Sequence, residues 1–196
     1  MGFVAHVAIL PRGLPSAVPE ATTATPTARP AAHPDAPVPG QHLGEHHEFC
    51  FACGHSVDGL RLDIVAADDL TLTCAFEITD AHQGAPGLVH GGIVAAAFDE
   101  MMGALQSFFR EPAVTASLTT QYRKPIPVGT TLHMRAHVDS REGRKLWTSV
   151  EGRLDAPDGP LAADGTALFL FVAREHFEAG RRKEVAAAHP AREVGP

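Results

Sequence analysis

The run from Ile93 to about Phe108, "IVAAAFDEMMGALQSF", constrains this chain more than any other stretch. It is too long and too rich in Ala and Met for a strand, so it has to be a helix. At ~100° per residue, Val94, Phe98, Met101 and Leu105 form one apolar stripe, widened by Ile93, Ala97, Met102 and Ala104. The opposite face is made of small residues, Ala96, Gly103 and Ser107, with Asp99 and Glu100 on either side of it. Two adjacent carboxylates in an apolar helix are costly unless they are paired or used.

Strand-like segments surround this helix. "GLRLDIVAA" and "LTLTCAFEI" alternate apolar and polar residues around the turn "ADD". After the helix come "AVTASLTTQYRK", "TTLHMRAHVDS", "KLWTSVEGRLD" and "LAADGTALFLFVA", separated by "PIPVGT", "REGR" and "APDG". Strands, one long helix and then a meander of strands predict an α+β fold, an antiparallel sheet packed on a central helix. Residues 1–40, rich in Pro, Ala and Thr, read as a disordered tail, 41–175 as the domain and 176–196 as a charged, Ala-rich C-terminal tail.

Composition narrows the function classes. With 44% hydrophobic and 20% charged residues, the 196-residue chain has the make-up of a soluble globular protein. A net charge of -7 argues against nucleic acid as the main partner, though not against a small anionic ligand. No apolar run reaches the ~20 residues of a membrane span, and no Lys or Arg precedes the apolar start "MGFVAHVAIL", so neither membrane nor secretory signal is expected. Three cysteines, Cys50, Cys53 and Cys74, suit a reducing compartment, and a cytoplasmic location is the expectation.

The helix start carries chemistry of its own. Its first N–H groups lack intrahelical partners, and at Gly91 and Gly92 no side chain screens them. Such donors stabilise the oxyanion formed when an acyl group is attacked. From Gly91 to Asp99 is eight residues, or ~12 Å of helix, whereas a reacting carbonyl needs its donor and its attacking group each within ~3 Å. An antiparallel helix from a second copy would bring one copy's acid beside the other's helix start, so the spacing suggests a composite site in a two-fold dimer. The periodicity does not choose between Asp99 and Glu100. A plain reading also stands at this point: a tight turn at His-Gly-Gly, with both acids solvated on an outer face.

Over "QGAPGLVHGGIVAAAFDEMMG" and the following "TASLTTQYRKPIPVGTTL", the chain resembles the hotdog-fold acyl-CoA thioesterases, in particular the PaaI-like group. The likeness spans about Cys50 to Val172. It implies a sheet wrapped around the long helix, a homodimer (with a dimer of dimers as the larger form) and hydrolysis of an acyl-CoA to free acid and CoA. Asp99 then holds the place of the catalytic carboxylate, the Gly91 N–H that of the oxyanion donor, and His90 shapes the turn or touches the thioester. Thr115 matches a position where relatives hold the attacking water with a Ser or Thr. Relatives carry Asn six residues before the His, where this chain has Gly84, so Gln83 is the residue able to supply a similar amide. Gly92 is expected at the substrate beside Gly91, and Arg123 and Lys124 near the CoA phosphates.

Two other classes remain, a non-catalytic acyl-CoA-binding hotdog module and a hotdog hydratase or dehydratase. "HHEFCFACGH" offers His46, His47, Cys50, Cys53 and His55, half of a zinc ligand set. A lone C-x-x-C without a second spaced pair reads as an ordinary turn, so no metal or redox cofactor is expected. Ala95, Phe98, Met102 and Phe109 are the candidates for an acyl tunnel.

Overall fold

A computed structural model describes residues 30–55 and 59–179. The long helix, α1 (Gly91–Gly103), runs on into a 3-10 segment, Ala104–Phe108, and so reaches the expected end. Six strands form one antiparallel sheet: β1 (Val65–Ala67), β2 (Thr71–Glu77), β3 (Ala113–Tyr122), β4 (Thr131–Glu142), β5 (Lys145–Leu154) and β6 (Leu161–Phe171). A short second helix, α2 (Glu175–Ala179), follows. This is the hotdog architecture, α+β, with the sheet wrapped around α1.

The strands alternate as half-buried strands should. Leu132, Met134, Ala136 and Val138 of β4 are buried, as are Leu146, Thr148 and Val150 of β5. These side chains meet the predicted stripe, of which Val94, Ala97, Phe98, Met101, Met102 and Leu105 are all fully buried. Glycines in the sheet make room for the largest of them. A Cβ at Gly152 or Gly165 would lie 3.2 Å from the Phe98 ring.

The sheet order β1-β2-β4-β5-β6-β3 corrects the expected meander. Strands β4 to β6 do follow one another, but β3 pairs with β6 at the far edge. A second difference concerns "GLRLDIVAA". Leu60, Leu62 and Ile64 are buried in alternation, but only Val65–Ala67 joins the sheet. Leu60 and Leu62 donate their N–H groups to Phe51 and Ala52 instead, and Arg61 takes a φ of 53°. The alternation reports the core, not the ladder.

Part of the stretch read as tail lies on the domain. His33 N–H donates to Phe108 C=O at 2.8 Å, and Gly40 N–H to Ala66 C=O at 2.8 Å. Residues 1–29 and 180–196 of the two expected tails lie outside the described residues. Among the described residues no helix is long and apolar enough to cross a membrane.

Candidate active site

The first turn of α1 is built by His90. Its Nδ1 accepts a 2.9 Å hydrogen bond from Gly92 N–H, capping the helix, and a Cβ on Gly92 would sit 3.0 Å from that nitrogen. With Gly92 N–H occupied, the Gly91 N–H is left without a hydrogen-bond partner among the described residues. His90 is held in turn by the loop, where its own N–H donates to His82 C=O at 2.8 Å. Position 84 explains itself: a Cβ there would lie 2.9 Å from His90 Cα, so a larger residue would require the loop to shift. Neighbouring Gln83 engages both ends of its amide within the loop, accepting from Gly87 N–H at 2.6 Å and donating to Asp80 Oδ1 at 3.1 Å. It braces the approach to His90.

The two acids diverge. Thr115 of β3 donates its hydroxyl to Asp99 Oδ1 at 2.8 Å. Burial pushes the Asp99 carboxyl above its ordinary range, the Thr115 hydrogen bond opposes this, and the Glu100 charge adds to it. Glu100 leans the other way, toward the loop before β1: its Oε1 lies 3.3 Å from His46 Nδ1, and Cys50 Sγ lies 3.7 Å from its Oε2. Burial alone would raise its pKa, but hydrogen bonds from His46, Cys53 and Cys50 outweigh burial and hold it below the ordinary value.

Both acids open onto a cavity of about 530 Å³. Gly103, Ser107, Val114 and Thr115 line it, with Phe169 at one wall and Leu43 to His46 at another. Ser107 Oγ, on this wall, is buried with no partner. Of the four tunnel candidates, none lines the cavity. Phe98, Met102 and Phe109 are core residues, because the stripe faces the sheet and the small-residue face borders the open space.

Gly91 opens elsewhere, onto a separate cavity of about 370 Å³ lined by Tyr122, Arg123, Lys124, Pro125 and Ile126. Arg123 is paired with Asp164 through Nε, at 2.5 Å, and a second bond at 3.1 Å. Lys124 forms no ion pair among the described residues. The Tyr122 hydroxyl donates to the Gly91 carbonyl at 2.6 Å, a contact not expected from the sequence, although Tyr122 lies in the stretch "TASLTTQYRKPIPVGTTL" that carries the resemblance. Within one chain, then, Asp99 with Thr115 and Gly91 with Lys124 face different spaces.

The comparisons agree with this architecture. A family model described as the thioesterase superfamily matches residues 86–158. Acyl-coenzyme A thioesterase THEM4 of Xenopus laevis is 35% identical over 99 residues, which is 50% of this chain and 44% of that protein. The chain thus spans less than half the length of that relative. Among solved structures, the E. coli PaaI protein from the phenylacetic acid degradation operon superposes with a TM-score of 0.54 at 18% identity, covering 58% of this chain and 81% of that one. A Streptococcus mutans protein bound to acetyl CoA gives a TM-score of 0.53 at 19% identity, covering 57% and 89%. At such identities these two likenesses speak to the fold.

Proposed function

Because this chain carries a hotdog domain of the thioesterase superfamily, we propose that it hydrolyses an acyl-CoA thioester to a free acid and coenzyme A, at a site assembled from two copies of the chain. One observation carries the reading. Asp99, held by Thr115, and the unpartnered N–H of Gly91 face separate cavities of the same chain, and only a second copy can supply one to the other. The free edge supports such a pairing: β3 is a ten-residue strand at the end of the sheet, with mostly exposed, polar side chains. Joining two copies there gives a two-fold dimer, and a dimer of such dimers would use a second surface.

The chemistry is proton transfer and oxyanion stabilisation. One Asp99 oxygen accepts the hydrogen bond from the Thr115 hydroxyl, which leaves the other to take a proton from water. That water adds to the thioester carbonyl carbon, and the oxyanion forms against the partner's Gly91 N–H. The tetrahedral intermediate collapses with cleavage of the C–S bond, and the CoA thiolate leaves and is protonated. His90 and Gly92 hold the turn that aims the donor, and Gln83 braces the loop behind it. Lys124, and Arg123 where Asp164 leaves it free, stand where CoA phosphates would meet positive charge. None of these steps requires a metal or redox cofactor. Cys50, Cys53 and Cys74 are free thiols, which supports a cytoplasmic location.

The test is release of free CoA thiol from short, medium, long and aromatic acyl-CoAs, with the wild type beside Asp99→Asn. Turnover that falls by on the order of 10²-fold or more in the variant supports the reading, and the best substrate identifies the acyl class. Tight acyl-CoA binding with no turnover by the wild type would make the chain a binding module instead.

A further inference from the structure

The chemistry just described uses Asp99 and leaves its neighbour unexplained. Glu100 has only 16% of its side chain exposed, yet it meets His46, Cys50 and Cys53, which arrive from a loop some fifty residues earlier. We propose that His46, Cys50, Cys53 and Glu100 form a tetrahedral divalent-metal site, fitted to zinc, that clamps the loop before β1 onto the middle of α1.

The geometry is that of a ligand set. One donor atom from each residue lies within 4.8 Å of all the others. Zinc takes sulfur at ~2.3 Å and nitrogen or oxygen at ~2.0–2.2 Å, so a tetrahedron puts neighbouring donors roughly 3.3–3.8 Å apart. The close approaches are 3.7 Å from Cys50 Sγ to Glu100 Oε2, 3.1 Å from Cys53 Sγ to His46 Nδ1 and 3.3 Å from His46 Nδ1 to Glu100 Oε1, the carboxylate turning one oxygen to each side. Side-chain rotations that bring donors spaced up to 4.8 Å to within about 3.8 Å, a movement of at most roughly 1 Å, close the shell.

The local backbone prepares the sulfurs. Ala52 N–H donates to Cys50 Sγ at 3.4 Å, the kind of outer hydrogen bond that steadies a metal-bound thiolate. Gly54 N–H donates to Cys50 C=O at 2.9 Å and turns the chain back. A Cβ at Gly54 would fall 2.6 Å from the carbonyl oxygens of Cys50 and Glu48, so only glycine closes this turn. Two sulfurs, an imidazole and a carboxylate favour zinc over the harder magnesium and calcium. With four protein ligands the shell is closed, which makes the metal a structural clamp. Binding releases the two thiol protons to solvent. Because Leu43 to His46 wall the Asp99 cavity, the clamp also fixes that wall. The lone C-x-x-C lacked a second pair in the sequence because the fourth ligand comes from the helix.

The experiment is metal analysis of the full-length reduced protein, followed by cobalt(II) substitution. Expected are about one zinc per chain, tetrahedral ligand-field bands with thiolate-to-cobalt charge transfer, and an affinity loss of more than about 100-fold in Cys53→Ser. Glu100→Gln keeps the thiolate charge transfer but alters the ligand-field bands, and circular dichroism of each variant separates a lost ligand from a lost fold. Three results would overturn the site. The reduced wild type takes up no cobalt, or Cys53→Ser gives an unchanged spectrum (binding at some of the twelve histidines), or a Cys50–Cys53 disulfide forms in place of uptake.

Discussion

The Tyr122 hydroxyl donates a 2.6 Å hydrogen bond to the Gly91 carbonyl, tying the last residue of β3 to the first residue of α1. The carbonyl it restrains belongs to the same residue as the proposed oxyanion donor, one peptide beyond that N–H. Tyr122→Phe is therefore expected to lower kcat by about tenfold while changing stability by only ~1 kcal/mol. Kinetics measured beside a thermal melt check this. A large drop in melting temperature with unchanged kcat would make the tyrosine a structural brace only.

A composite site predicts complementation. Gly91→Pro removes the donor N–H, proline suits the first helical position, and His90 already has the extended backbone (φ -70°, ψ 130°) that a following proline requires. Homodimers of Gly91→Pro and of Asp99→Asn should each be inactive. Mixed by co-refolding, they should regain about a quarter of wild-type activity, because half the dimers are hybrids with one intact site. If mixing restores nothing although hybrids form, each site lies within one chain.

Core packing at the glycines gives a stability prediction. At Gly165 a Cβ would approach Thr119 C=O to 3.0 Å, Phe98 to 3.2 Å and Val150 to 3.3 Å. Gly165→Ala should cost ~1–3 kcal/mol and lower the melting temperature by several degrees. Denaturant unfolding checks it, and an unchanged midpoint would mean that the Phe98 ring has room to move.

The approach loop should weaken in acid. His82 Nδ1 accepts the Thr79 N–H at 3.0 Å, its ring packs on Phe76 at 4.9 Å, and burial lowers its pKa. The unfolded chain protonates this histidine first, so its contribution is complete above about pH 6.5 and fades as pH falls through the lowered midpoint. NMR titration of the imidazole should place that midpoint below ~6.5, and a value at or above it would remove this support from the loop.

How far the sequence could be read depended on whether the governing contacts were local. The stripe of α1 obeys a 3.6-residue period, and every residue that periodicity put at its centre is buried. Strand alternation marked β2 and β4 to β6 for the same reason. Sheet order is not a local property: nothing in "AVTASLTTQYRK" says that it will pair with β6, because its side-chain pattern suits any edge. The separation of Gly91 from Asp99 was legible as helical rise, whereas the meeting of Glu100 with His46, Cys50 and Cys53 depends on how the loop crosses the helix. Gln83 shows a third limit. Its amide type was readable, but its partners, Asp80 and Gly87, were set by the loop's conformation.

Adjacent acids that point apart also fix the phase of the helix. Each residue turns the helix by 100°, so deleting one residue between Gly91 and Asp99 would swing Glu100 into the place of Asp99 and withdraw a carboxylate from the cysteines. The loop from residue 80 to 90 is tied to His90 by local contacts, the His82 carbonyl and the Gln83 amide among them. The eight steps from Gly91 to Asp99 cannot change in number, because two separate tasks depend on the same count. Single-residue insertions or deletions made between Gly91 and Asp99 should therefore abolish function even where the helix still forms.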